Sequence, residues 1–361
     1  MSERPLGRIK SAPEDFVVEE VPAYAPSGDG GHVFVRFTKR NLTTDGAMRA
    51  ICAALGADAR ACGAAGMKDK VAVTTQTISV EAPRGIDPSD LAVRARALSI
   101  DGITIHEATR HPHKMKPGHL EGNRFTIVVR GIARDRVSEV RASLEGAARE
   151  GIPNHFGAQR FGRGAQNVEQ ARAWLSGKAR APRDKRIRRL LWSALQSAVF
   201  NAVLDARVRD GTWAVPLEGD LLKRRTSGGL FLSTDVQTDR DRAITGEVSP
   251  TGPIVGVKMR AAEGAPLALE TAIAAQVLGE GFDLGETKRL GEGSRRALRL
   301  WIDDLQVTSH AEVSGVPAGE QEESLRVYFV LPKGAYATTV LATALTVDEP
   351  DPSVEHAGQS L

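Results

Sequence analysis

The chain has 361 residues, with 48 Lys and Arg against 45 Asp and Glu, a net charge of +3 and 41% hydrophobic residues. That length predicts two domains and that apolar content is ample for real cores, while the 36 glycines and 18 prolines are spread along the chain and exclude a low-complexity protein. No apolar run approaches membrane-spanning length, and Met1 to Lys10 lacks the apolar core of a signal peptide, so a soluble cytoplasmic protein without membrane association is expected.

In chain order, strands are predicted near Phe16–Val21 and Val33–Phe37, followed by a helix from Asp45 to Leu55 that Gly56 ends. Cys52 and Cys62 are the only cysteines and lack Cys-x-x-Cys spacing; they read as reduced, small, buried thiols. Next, Gly66-Met67-Lys68-Asp69-Lys70 leads into a β-branched run reaching Val80, in which Val71, Val73, Thr75 and Thr77 recur at the period of a half-buried strand. Asp69 is thereby a lone acid at the mouth of a strand. Two adjacent lysines favour its ionised form, which leaves a carboxylate available as nucleophile or base. A solvated turn at a strand end is the plainer reading of the same five residues.

The stretch Arg110 to Arg124 carries Lys114, Lys116, His111, His113 and His119, with Pro112 and Pro117 keeping it out of regular structure. With His106 these imidazoles invite a metal, but no acidic or thiolate partner recurs at helix or strand spacing, so an exposed basic loop and no metal site are expected. A strand at Phe125–Arg130 and a helix at Arg136–Arg149 follow. From Arg160 to Arg189 there are ten Lys or Arg against only Glu169 and Asp184, the charge pattern of a phosphate-binding surface. Leu191, Leu195, Val199 and Val203 then recur every four residues as a core-facing helical stripe, which leaves Arg188, Arg189, Gln196 and Arg207 to solvent or phosphate. Pro250–Pro253 and Gly315–Gly319 read as loops. A last strand, Leu325–Leu331, turns Leu325, Val327, Phe329 and Leu331 one way; a helix from Ala335 to Leu345 follows, and the acidic tail 348–361 reads as disordered. The pieces describe an α+β sheet domain assembled from both ends of the chain. Neither a Gly-x-x-x-x-Gly-Lys-Ser/Thr loop nor a Gly-x-Gly-x-x-Gly after a strand is present, so no nucleotide cofactor is indicated.

Six blocks occur in a fixed order: Lys10–Glu20, Gly66–Gln76, Gly122–Thr126, Gly151–Gly162, Ser193–Asn201 and Leu331–Thr339. Together, across nearly the whole chain, they resemble the D-type tRNA pseudouridine synthases, the TruD family. The resemblance implies a pseudouridine synthase-like, mixed and largely antiparallel sheet domain from 1–150 and 301–347, interrupted by an α/β TRUD insertion domain at 151–300. It implies that Asp69 is the catalytic nucleophile, that Phe16 lies against the substrate base, that Asn123 and Phe125 line the same pocket, and that Tyr336 touches substrate. Lys10 is read as a partner of Asp69 or of a phosphate. Lys68, Lys70, Arg160, Arg186, Arg188 and Arg189 are assigned to the RNA backbone. Two departures stand out: His155 replaces the family's usual Tyr, and Tyr336 replaces its usual Phe. The implied activity is conversion of uridine 13 in the D arm of tRNA to pseudouridine, with the base flipped out, by a monomer that uses neither metal nor cofactor. The rival reading is an RNA-binding or RNA-chaperone protein on the same fold, against which the intact Lys68-Asp69-Lys70 speaks. A metal-dependent hydrolase would need clustered carboxylates, and Asp303-Asp304 stands alone.

Overall fold

The computed structural model describes residues 3–279, 282, 284–309 and 322–349. Its first part opens with β1 (Leu6–Arg8), a 3-10 turn at Pro13–Asp15, β2 (Phe16–Pro22) and β3 (His32–Arg40). Helix α1 (Thr44–Leu55) begins where the Thr43 hydroxyl accepts from the Gly46 N–H, and it ends at Gly56, whose φ of 68° a side chain would resist. Ala47, Ile51 and Leu55 of α1 pack on Val33, Val35, Phe37, Ile78 and Val80. Cys52 and Cys62 join that core as free thiols, their sulfurs 2.7 Å apart. There follow β4 (Gly63–Ala64), β5 (Val73–Glu81), α2 (Pro88–Arg96), β6 (Ile103–His111), β7 (Leu120–Ala133) and α3 (Val137–Glu150).

One strand is out of phase with its sequence reading. In β5 the buried face is Thr74, Gln76, Ile78 and Val80, and not the expected Val71, Val73, Thr75 and Thr77. β5 lies between β2 and β3, where Thr74 registers with both Val18 and Lys39. Of the polar inward groups, the Gln76 side-chain oxygen accepts a hydrogen bond from the Thr44 hydroxyl at 3.2 Å, while among the described residues the Thr74 hydroxyl and the Gln76 amide nitrogen are buried without a partner.

The middle of the chain contributes β8 (Ile152–Pro153), α4 (Gln166–Leu175), α5 (Lys185–Arg209), β9 (Leu221–Arg224), β10 (Leu230–Leu232), α6 (Val236–Ile244), β11 (Val248–Ile254), α7 (Gly264–Leu278), β12 (Ser294–Ala297) and β13 (Arg299–Leu300). Leu191, Leu195, Val199 and Val203 are buried along α5, as their spacing requires. Gln196 and Arg207 are buried as well, contrary to expectation, because α4, α7 and β11 enclose α5 on several sides. Gln196 donates to the Val255 carbonyl at 2.6 Å, and Arg207 is paired with Asp220 at 3.0 Å. Pro250–Pro253 lies inside β11 rather than in a loop. β11 pairs with β9 over Val248–Pro250 and with β12 over Thr251–Ile254, so each proline has an unpaired side to which its donor-less nitrogen can turn.

The chain returns through β14 (Asp303–Ser309), β15 (Glu322–Pro332), α8 (Ala337–Leu341) and β16 (Thr346–Asp348). Leu325, Val327, Phe329 and Leu331 are all fully buried, on one face of β15. α8 is shorter than the predicted Ala335–Leu345: Tyr336 is extended at φ −116°, and the β-branched Thr338, Thr339 and Val340 give the helix little local support before the chain turns into β16. β16 pairs in parallel with β1, Arg8 opposite Asp348, so Asp348 and Glu349 are placed where a disordered tail was expected. Residues 350–361 and the Gly315–Gly319 loop lie outside the described residues.

Among the described residues ten strands form one sheet in the order β14-β15-β7-β2-β5-β3-β6, with β1, β16 and β4 attached at its flanks. Only β2–β5 and β1–β16 run parallel, so the sheet is mixed and largely antiparallel. This sheet and its helices form one unit, residues to Arg149 together with those from Ile302; Glu150–Trp301 forms a second unit, with its own four-stranded sheet β10-β9-β11-β12. Among the described residues no helix is long and apolar enough to cross a membrane.

Candidate active site

Strand register determines which side chains share a face of the large sheet. Phe16, Val18 and Glu20 alternate inward along β2; Phe125 lies opposite Val18, and Asn123 opposite Glu20. On the other side, Thr74 of β5 lies opposite Val18 and Lys39 of β3 opposite Thr74. The segment 65–72, between β4 and β5, crosses this face and carries Asp69.

Asp69 is 41% exposed at its side chain, and its Oδ1 lies 3.6 Å from the ammonium of Lys10, which is 8% exposed. Lys10 also bonds to a Glu349 carboxylate oxygen at 3.1 Å and stands 4.5 Å above the Phe16 ring. Its backbone φ of 57° is in the left-handed region, a conformation that costs a non-glycine residue about 1 kcal/mol or more and tends to occur at functional positions. The turn before β2 is fixed by ion pairs to distant strands: Glu14 bonds to Arg40 at 2.6 Å, and Asp15, 1% exposed, takes Arg130 in a two-pronged pair at 2.6 and 2.8 Å. Hydrogen bonding to Asp15 raises the Arg130 guanidinium above its ordinary value. Glu14 and Asp15 are thus both ion-paired with strands outside the first block, and Phe16 is held directly after them.

Three further contacts hold the Asp69 segment. The Lys68 N–H donates to the Thr44 hydroxyl at 2.9 Å, the Lys68 ammonium donates to Glu20 at 2.6 Å, and the Lys39 ammonium donates to the Asp69 carbonyl at 2.7 Å. Lys68 therefore does not serve the RNA backbone as the sequence reading assigned: its side chain is 7% exposed and its charge is spent on a carboxylate that is itself 2% exposed. Lys70 is exposed.

Phe16 and Phe125 are buried, their rings edge to face at 6.2 Å, and Phe125 packs on Phe329 at 5.5 Å. Asn123 is half-buried, and its Oδ1 is buried with no hydrogen-bond partner. Leu331 and Pro332 register with Asn123 and Gly122, so Tyr336, half-buried four residues on, leaves the sheet at the Asn123 end. The structure thus brings Lys10 to Asp69 and Phe16, and sets Phe125 and Asn123 on the same face.

The remaining predicted residues belong to the second unit. Arg160 donates to the hydroxyls of Ser193 and Ser197 and lies 5.5 Å from the Phe156 ring. Its block is clamped to α5, because the Asn201 side chain bonds both the N–H and the carbonyl of Phe156. His155 bonds the Asp205 carboxylate at 2.8 Å. Arg186 and Arg189 are exposed in the first turns of α5; Arg188 is half-buried and donates to the Arg183 carbonyl at 3.2 Å.

Lys39, Glu20 and Glu349 were not singled out by the sequence reading. Lys39 had a signal: Val33, Val35, Phe37 and Lys39 share the inward phase of β3, and a lysine there is out of place. The histidines also differ from expectation, since His106 and His111 lie within β6 and not in a loop. His111 stacks on Tyr24 at 5.3 Å, and the Tyr24 hydroxyl bonds His119 at 2.6 Å. Among the described residues no three His, Cys, Asp or Glu side chains converge as metal ligands.

A family model described as tRNA pseudouridine synthase D (TruD) matches residues 2–171 and 173–343. The tRNA pseudouridine synthase D of Anaeromyxobacter sp. (strain Fw109-5) is 43% identical over 343 residues, covering 93% of this chain and 91% of its own. That of Geobacter sulfurreducens is 35% identical over 399 residues, with 93% of each covered. A crystal structure of the TruD protein from Methanosarcina mazei shares the fold, with a TM-score of 0.70 at 22% identity over 95% of this chain and 94% of that one.

Proposed function

The chain belongs to the TruD family, the D-type tRNA pseudouridine synthases, and from that membership we infer that it converts uridine 13 in the D arm of tRNA to pseudouridine with Asp69 as nucleophile. At the coarser level it is a pseudouridine synthase that acts on RNA. The observation that carries the finer reading is the Asp69 carboxylate, accessible to solvent, facing a buried Lys10 ammonium at 3.6 Å on a face floored by aromatic rings.

The chemistry is an isomerisation. The bond from ribose C1′ to uracil N1 breaks, the base turns, C1′ rejoins at C5, the C5 proton leaves and N1 is reprotonated. The atoms balance without an oxidant or a nucleotide, in keeping with a catalyst that needs a carboxylate and general acid–base groups. Lys10 faces the Asp69 carboxylate and supports the bond polarisation that follows attack. The target base must leave the RNA stack to reach the carboxylate. Phe16 and Phe125 give it an apolar floor, Tyr336 a ring at the Asn123 end, and the unpartnered Asn123 oxygen an acceptor for the uracil N3–H. Stacking of this kind contributes about 1–3 kcal/mol per base, enough to offset much of the unstacking cost. Arg160, Arg186, Arg189 and Lys70 are assigned to phosphates, with tRNA as the partner of a monomeric, cytoplasmic enzyme.

The test is uridine-to-pseudouridine conversion in an unmodified tRNA transcript, mapped to the nucleotide, with wild type and Asp69→Asn side by side. Product at one D-arm position from the wild type alone is expected. Substantial product from Asp69→Asn would remove Asp69 from the nucleophile role, and product at another position would reject the assigned target.

A further inference from the structure

Lys39 is fully buried. Among the described residues its ammonium donates to the Asp69 backbone carbonyl at 2.7 Å, and no carboxylate lies within ion-pair distance of it. Burying a cation without a counter-ion carries a penalty that an apolar residue in the same inward position would avoid. Its strand neighbours Val33, Val35 and Phe37 show that β3 needs no charge for packing. Lys68 is already fixed by Thr44 and Glu20, whereas Lys39 holds the peptide of Asp69 itself.

We propose that Lys39 is a positioning residue of the isomerisation, latching the Asp69 peptide through its ammonium so that the carboxylate is aimed and electrostatically supported from below. The proposal rests on Asp69 being the nucleophile.

The latch has a pH signature. Burial pushes the Lys39 ammonium down from 10.5 to about 8, with Asp69 opposing that shift and Lys68 adding to it. The charges around it are those two, Glu20 of β2 paired with Lys68, and Lys10 reached through Asp69. Thr44 of α1, Thr74 of β5 and Ile103 of β6 are neutral. As pH rises through about 8 the ammonium becomes an amine, the latch loses its charge and the rate falls. Stability moves the other way. Between about 8 and 10.5 the unfolded chain holds more of this proton than the folded one, so the contribution of Lys39 to stability rises with pH. A falling rate without falling stability separates the latch from alkaline unfolding.

The experiment is single-turnover conversion of the tRNA transcript by wild type, Lys39→Met, Lys39→Arg and Asp69→Asn, from about pH 6.5 to about 9.5, with Kd for tRNA and Tm for each. At neutral pH, Lys39→Met is expected to slow conversion about 100-fold, with Kd within about two-fold and Tm unchanged or higher. Lys39→Arg, whose charge persists across this range, is expected to recover most of the rate and to lose the fall near pH 8. A Lys39→Met rate close to wild type overturns the proposal, and so does a loss fully accounted for by Kd or Tm. Should Lys39→Met fail to fold, the Arg profile decides: an alkaline fall that persists with Arg rejects the latch. An active Asp69→Asn would instead overturn the nucleophile assignment, an outcome distinct from failure of the latch.

Discussion

The Lys68 ammonium and a Glu20 carboxylate oxygen lie 2.6 Å apart, with side chains 7% and 2% exposed, immediately before Asp69 in the chain. This pair ties the Asp69 segment to the inward face of β2, and Glu20 also accepts from the Thr77 N–H at 3.3 Å. Removing one member leaves the other charge buried and unpaired. Glu20→Gln is therefore expected to destabilise the first unit by about 3–5 kcal/mol in urea denaturation, while replacing both partners with apolar residues should cost far less. Equal destabilisation by the single and double changes would show that the pair itself is what stabilises.

Lys10 is shared between Asp69 at 3.6 Å and Glu349 at 3.1 Å. On the proposed reading only the first contact serves the chemistry. Lys10→Met is expected to lower the single-turnover rate on the order of 100-fold, and Glu349→Gln, whose carboxylate is partly solvated, to change it less than about three-fold. Single-turnover assays of both variants check this; comparable losses would make Glu349 part of the site.

Arg186 and Arg189 are exposed, whereas Arg188 is half-buried and bonded to Arg183. The double variant Arg186→Ala/Arg189→Ala is expected to reduce the salt slope of tRNA binding by about 0.7–0.9 per lost phosphate contact. Binding titrations at several salt concentrations test it, and an unchanged slope means that these arginines do not meet RNA.

His32 has a buried Nδ1 without a partner. Burial lowers its imidazole below the ordinary 6.5, Lys114 and His113 pushing the same way and Glu81 opposing. The folded chain therefore binds this proton less readily than the unfolded chain, and the contribution of His32 to stability is present at higher pH and is lost as pH falls below 6.5. Urea midpoints at about pH 7.5 and pH 5.5 should diverge less in His32→Asn than in the wild type. An identical divergence would assign the acid sensitivity to other groups.

What could be read from the sequence was local. The Gly56 stop of α1, the inward quartet of β15 and the apolar stripe of α5 each follow from spacing within one element. The misread features depend on distant partners. The phase of β5 was missed because its inward Gln76 looks like a surface residue until the Thr44 hydroxyl is seen beside it. Lys68 looked like a phosphate ligand because Glu20 is 48 positions away, and Arg207 looked exposed because its acceptor Asp220 belongs to a later loop. Asp69 and Lys10 were found through motif blocks, whereas Lys39 called for trust in strand periodicity against the ordinary preference of lysine for water.

The division of the large sheet between the two ends of the chain has a consequence for synthesis. β7, 14 residues long, pairs with β2 on one side as soon as both have emerged, but its other side waits for β15. Between them the ribosome must make the whole of Glu150–Trp301, which at roughly 5–20 residues per second takes on the order of ten seconds. During that interval the nascent chain presents an unpaired strand edge, the kind of surface on which chaperones and aggregation compete. Glu349, which bonds Lys10, is translated later still, so Asp69 and Lys10 exist on the ribosome well before the sheet that carries them is closed.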